Sequence, residues 1–179
     1  MKALSGLLTA GEEVTFRSLA AASGVPERTL YRHYPNREEL LAAFWTWLND
    51  RLGMPAPPKS PEDLVAGIAG IFAAFAADEP LIRAMLHDPQ GRATRLAHGE
   101  ARRARLRNAL QPVLAPLDAT AKRRLLVSIH ALISAAGWET MRDYGRVSSL
   151  EAADAAQWAV ATLIAETGRR LKSASRKQK

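Results

Sequence analysis

The 179-residue chain contains no cysteine. That excludes disulfides and thiolate metal sites, and it fits a reducing compartment. β-Branched residues are sparse, and alanine and leucine dominate, a balance that favours helices. No segment alternates polar and apolar residues between turn signals as a strand would. Long apolar runs are missing too. The longest one free of charge, Leu64 to Ala77, is bounded by Asp63 and Asp78. It is shorter than the roughly 20 residues that span a bilayer. The opening MKALSGLLTAGEE is interrupted by Ser5, Gly6 and Thr9 and closed by Glu12 and Glu13. It reads as a helix rather than a leader, in a cytoplasmic protein with no membrane partner. Catalytic signatures are also lacking: no H-E-x-x-H, phosphate loop or paired carboxylates, and no nucleophile elbow. Gly67-x-x-Gly70 is a helix-packing feature at most. The expectation is therefore no enzyme, no cofactor and no metal.

Apolar residues make up 47% and charged residues 24%, so the chain is globular rather than disordered. Net charge is +7 and the pI about 10.2, which favours an anionic partner such as nucleic acid. The excess is unevenly placed. Lys2, Arg17, Arg28, Arg32, Arg37 and Arg51 are cancelled by Glu12, Glu13, Glu27, Glu38, Glu39 and Asp50. All of the +7 thus lies beyond residue 52. Two stretches contribute most: the arginine-rich Arg92 to Arg107, and the tail from Arg169, which holds no acid. Both read first as solvated surface.

Four prolines between Gly53 and Asp63 rule out a helix across that stretch. A boundary follows, with units 1–52 and 53–179. The first unit reads as short helices. Thr15 caps one of them, and Gly24 suits the left-handed position after it. Pro26 opens the next at the first helical position, and Pro35 ends it. Asn36 then starts a fourth helix, with Glu39 in capping-box spacing. The second unit reads as helices near 61–77, 79–87, 92–115, 119–144 and 149–172, the last opened by Ser148 and Glu151. Leu64–Ala77 is apolar on nearly every side, which predicts a central, buried helix.

Two helices joined by a tight glycine turn form a helix–turn–helix, whose second helix fits the DNA major groove. At 100° per residue, Arg28, Tyr31 and Arg32 share one side of the segment PERTLYRHY. Leu30 and Tyr34 lie opposite with Pro26, and Thr29 and His33 lie between. Arginine can bond guanine O6 and N7 in a bidentate way. Tyr31, Thr29 and His33 suit phosphate or thymine-methyl contacts. Arg17 and Arg37 begin the neighbouring helices, where guanidinium and free N–H groups clamp phosphate. A solvated helix face in a helical interaction protein is the competing reading of the same pattern.

The stretch TFRSLAAASGVPERTLYRHYPNREELLAAF resembles the DNA-binding domain of the TetR/AcrR family of bacterial regulators. The resemblance covers about residues 4–48. It implies an all-α chain: a three-helix helix–turn–helix domain at the N-terminus, then a helical ligand-binding and dimerisation domain. It also implies a transcriptional repressor that a small-molecule ligand releases from an inverted-repeat operator. Carried over residue by residue, the implied DNA contacts are Thr15, Arg17, Glu27, Arg28, Thr29, Tyr31, Arg32, His33 and Arg37. Family members begin with a full first helix, often after a basic arm. Here Met1 falls part-way into that helix, so the expectation is an absent arm or a misplaced start.

The resemblance further implies homodimerisation through the last two long helices. Their apolar stripes are Leu125, Ile129, Leu132, Ile133 and Ala136 on one, and Val160, Ala161, Ile164, Gly168 and Leu171 on the other. Core packing within the domain competes for the same stripes. Phe72, Phe75, Met85, Ile129, Trp138 and Met141 are candidates to line a small apolar or amphipathic ligand's pocket, or else plain core. His130 reads as a core histidine, and His87 and His98 as surface residues.

Overall fold

The computed structural model describes the backbone of residues 1–177 and the side chains of residues 1–170. The described chain is helical without a strand. Helices α1 (Lys2–Thr9), α2 (Phe16–Ser23), α3 (Glu27–His33), α4 (Arg37–Arg51) and α5 (Pro61–Ala77) come first. There follow α6 (Glu79–His87), α7 (Pro89–Ala97), α8 (Gly99–Ala109) and α9 (Gln111–Leu114). The last are α10 (Ala119–Leu132), α11 (Ala135–Gly145) and α12 (Ser149–Lys177). Among the described residues, no single helix is long and apolar enough to cross a membrane.

The chain divides into two compact units, Met1–Met54 with Ala77–Gly99, and Pro55–Ala76 with the residues from Glu100 on. The first unit thus takes residues 77–99 in addition to 1–54. Residues 77–99 return to the N-terminal unit because α6 carries an apolar stripe that α1 and α4 need. Leu81 and Met85 join Leu4, Leu8, Phe44 and Leu48 in one core. A second anchor is polar: Arg51, at the end of α4, pairs with Asp78 at 2.9 Å.

The corner between α6 and α7 is tightly built. Asp88 caps α7, its Oδ1 accepting from the backbone N–H of Gln90 at 2.8 Å and of Gly91 at 3.1 Å. Arg95 donates to the carbonyls of Met85 and Leu86, two of the otherwise open acceptors at the end of α6. A Cβ on Gly91 would lie 2.6 Å from the Met85 Cα, so only glycine lets the two helices approach this closely.

In the second unit, α10, α11 and α12 pack on one another. Its core holds Ile68, Phe72, Leu110, Ile129, Trp138 and Val160. Trp138 is fully buried, and its indole N–H donates to Ser149 Oγ at 2.9 Å. Ser149 donates in turn to the Phe72 carbonyl at 3.1 Å. Gln157 closes a parallel bond to the Val65 carbonyl at 3.0 Å.

Several expected boundaries shift. Pro26 sits at the N-cap of α3 rather than inside it, and its carbonyl accepts from Thr29 and Leu30. The single helix expected over 92–115 is three. It starts earlier, at Pro89, and breaks at His98–Gly99 and again at Leu110, since Pro112 has no N–H to continue the ladder and its ring crowds the carbonyl of Asn108. The helix expected over 119–144 breaks at Ser134, whose Oγ accepts from the Gly137 N–H at 3.0 Å and so opens α11. A Cβ on Gly137 would stand 2.3 Å from the Ala131 carbonyl, so glycine permits the corner. Nor is α5 buried all round: Leu64, Ile68, Phe72 and Phe75 turn inward, whereas Ala66, Ala73 and Ala76 are exposed. Its outer side is built from small residues, which a composition count reads as hydrophobic but which expose little apolar area. By contrast, Ser148 and Glu151 form the expected reciprocal cap of α12.

Gly91→Ala must push α6 and α7 apart, and overpacking of this kind costs about 1–3 kcal/mol. Urea unfolding of the variant is expected to show a lower midpoint with an unchanged slope.

Candidate nucleic-acid interface

The N-terminal unit presents one short helix whose two sides differ completely. Helix α3 has seven residues, too few to persist alone in water. Leu30 holds it down at 7% exposure, with Tyr34 half-buried beside it. On the other side Glu27, Arg28, Tyr31, Arg32 and His33 are exposed, and Thr29 is half-buried between them. Among the described residues, neither Arg28 nor Arg32 forms an ion pair, so their guanidinium donors face solvent.

Tyr31 is 48% exposed yet is not loose. Its ring stacks on Phe16 with centroids 4.1 Å apart and planes at 23°. Phe16 is itself buried as the first residue of α2. This contact joins the two helices of the motif across their outer edge and directs the phenol along the exposed side. The turn between them is set by Gly24, at φ 69°.

Helix α2 begins at a closed network. Thr15 Oγ1 accepts from the Ser18 N–H at 3.0 Å, and Ser18 Oγ accepts from the Thr15 N–H at 2.9 Å. Ser18 Oγ also donates to the Glu13 carbonyl at 2.7 Å. The Thr15 hydroxyl therefore serves the cap, and Arg17 is the exposed cation in the first turn of this helix. At α4, Asn36 Oδ1 accepts from the Glu39 N–H at 2.9 Å. Glu39 answers on the Asn36 side-chain amide at 3.1 Å rather than on its backbone, so the expected box is closed differently. Arg37 is exposed and donates through Nη2 to Gln90 Oε1 of α7.

All nine residues expected at a DNA surface, Thr15, Arg17, Glu27, Arg28, Thr29, Tyr31, Arg32, His33 and Arg37, lie in this unit. Sequence reasoning missed Phe16 as the support for Tyr31, Ser18 as half of a cap, and Gln90. The Thr-x-x-Ser spacing could have revealed Ser18. Nothing in the local sequence marks Gln90, 53 positions from its partner.

Residues 11–44 match the family described as bacterial regulatory proteins, tetR family. Residues 11–44 are thus similar to the N-terminal domain of that family. This is a family of DNA-binding transcriptional regulators, and the matched residues run from Gly11 through α2 and α3 into α4, the segment whose geometry is given above. No curated protein and no solved structure matches the chain.

The six residues expected to line a ligand pocket do not all meet. Phe72, Phe75 and Trp138 form an aromatic cluster in the second unit, with Phe75 edge-on to Trp138 at 5.8 Å. Ile129 is buried in that unit, and Met141 is half-buried. Met85 instead belongs to the core of the N-terminal unit, because α6 packs there. An apolar groove of about 530 Å³ lies elsewhere, lined by residues of α10 and α12 including Ala131, Leu132, Trp158 and Leu163.

His130 is half-buried, and burial first, then Arg102 and Arg103, hold its pKa below the ordinary histidine range. His87 is exposed, whereas His98 is half-buried against Trp45, the rings 5.2 Å apart and nearly parallel. No group of three or more metal-ligating side chains converges among the described residues.

Thr15→Ala removes the acceptor that caps α2. The expected cost is about 1 kcal/mol of unfolding free energy, read from urea denaturation followed by circular dichroism.

Proposed function

We propose that the chain is a homodimeric, cytoplasmic transcriptional repressor that binds an inverted-repeat operator and leaves it when a small molecule binds the second unit. One observation carries the DNA contact: Arg28, Tyr31 and Arg32 share the solvent side of α3, free of ion pairs and braced by Leu30 and Phe16. Arg28 and Arg32 read bases, guanine above all, through their paired donors. Tyr31, Thr29, His33 and Glu27 fill the rest of the groove contact. Arg17 and Arg37 take phosphates on either side, together with the N–H groups of their helix starts. Thr15 acts through its cap, which fixes where Arg17 stands. The DNA-binding body comprises residues 1–54 with 77–99, and the remainder is the regulatory and dimerisation body.

Dimerisation is supported by an apolar face that the fold leaves open. The expected stripes are partly spent within the unit, since Leu125, Ile129 and Val160 are buried there. Leu171 lies outside the described side chains. Turned outward instead are Val127, 61% exposed, and Trp158, 72% exposed, on α10 and α12. A symmetric partner laying the same two helices on this face would form a four-helix interface with Trp158 as its anchor. Two-fold symmetry then requires an inverted repeat in the DNA. The ligand site is proposed beside Phe72, Phe75, Ile129, Trp138 and Met141. Several of these are fully buried, so an apolar or amphipathic ligand must open the core that they fill.

Duplexes selected from genomic fragments by the wild-type chain supply the operator. The variant Arg28→Ala/Arg32→Ala should bind it at least about thirty-fold more weakly, given about 1–3 kcal/mol for each bidentate contact. Its unfolding temperature and dimer mass should be unchanged, and a wild-type footprint from it would refute the reading. Trp158→Glu should raise the dimer dissociation constant by about thirty-fold or more in sedimentation equilibrium, the range of an interface hot spot.

A further inference from the structure

We infer that Gln90 is the residue that positions Arg37 for its phosphate, so that α7, although distant in sequence, forms part of the DNA-binding apparatus. The inference rests on the DNA-binding reading above. Gln90 stands on a tightly held corner of the N-terminal unit. Its N–H is held by Asp88 Oδ1 at 2.8 Å, and its carbonyl accepts from Thr94 Oγ1 at 2.9 Å. Thr94 is buried at 3% exposure. Gly91 abuts the backbone of Met85, and Arg95 ties α7 to the end of α6. A side chain projecting from such a corner has a defined origin, and its Oε1 accepts from Arg37 Nη2.

The chemistry of that acceptor matters. Arginine carries five N–H donors in a planar fork, and one bond leaves the others for a phosphate. A glutamine carbonyl is neutral, so it orients the guanidinium without cancelling its charge. The other end of α4 shows the contrast. There Arg51 meets a carboxylate, Asp78, in an ion pair that neutralises it. The same segment thus fastens α4 with an acid at one end and with a neutral amide at the end that follows the recognition helix. Arg37 is otherwise an exposed, rotamer-rich side chain, and holding it in advance removes part of the ordering cost of binding.

The test uses the full chain and a duplex selected by the wild-type protein, with affinity measured across a salt series. Gln90→Ala should weaken binding about three- to ten-fold, the equivalent of one rotamer-rich side chain left to be ordered on binding, with the salt slope unchanged. Gln90→Glu should weaken it further and reduce the slope by about 0.9, one phosphate contact, as Arg37→Ala does. In the Arg37→Ala background, Gln90→Ala should have no further effect. Wild-type affinity in Gln90→Ala, or an equal loss whether or not Arg37 is present, overturns the inference and leaves the DNA-binding reading intact. A wild-type chain that retains no DNA from the selection overturns both.

Discussion

The burial of Leu30 is the contact on which the exposed arginine side of α3 depends. A helix of seven residues gains too little from its own hydrogen bonds to stay folded, so α3 exists because tertiary packing holds it. Leu30 and Tyr34 supply that hold from beneath, and the Phe16–Tyr31 stack supplies it from the side. The two contacts fix both the tilt and the rotation of α3. Without them Arg28 and Arg32 would be two flexible cations on a turn, with no shared direction.

Electrostatics then act by placement rather than by bulk. Residues 1–54 carry no net charge, and residues 77–99 add Arg83, Arg92 and Arg95 against Asp78, Glu79 and Asp88. The N-terminal unit is therefore neutral, and the +7 belongs to the other unit. A neutral domain gathers no broad counterion-release term from DNA. In the proposed complex each cation must sit where a phosphate or base edge will be, so the placement of Arg17, Arg28, Arg32 and Arg37 matters more than their number.

The N-terminal unit is assembled from two stretches of the chain. Its core is completed by Leu81 and Met85, which the chain reaches only after passing through α5. The N-terminal unit is thus discontinuous in sequence. The chain crosses between the two units three times, at Met54–Pro55, Ala76–Ala77 and Gly99–Glu100.

Local chemistry was enough to read much of this from the residues. Thr15, Gly24, Asn36 and Ser148 announce helix ends because caps act within a few residues, and the limits of α5 and α6 follow from apolar spacing and proline. The alternation of Leu30 with Arg28, Tyr31 and Arg32 is likewise a property of one turn of helix. The breaks at Ser134 and before Pro112 were legible in kind, yet a continuous apolar period hid them. What tertiary structure alone decided is which surfaces meet. Met85 looked like pocket lining and is N-terminal core, because an apolar stripe does not specify the stripe that covers it. Gln90 gave no signal, because a hydrogen bond spanning the interval from Arg37 is set by how α4 and α7 come together. Pattern and capping are local and survive in the linear chain; the partner of a buried face or of a long polar side chain is a property of the folded whole.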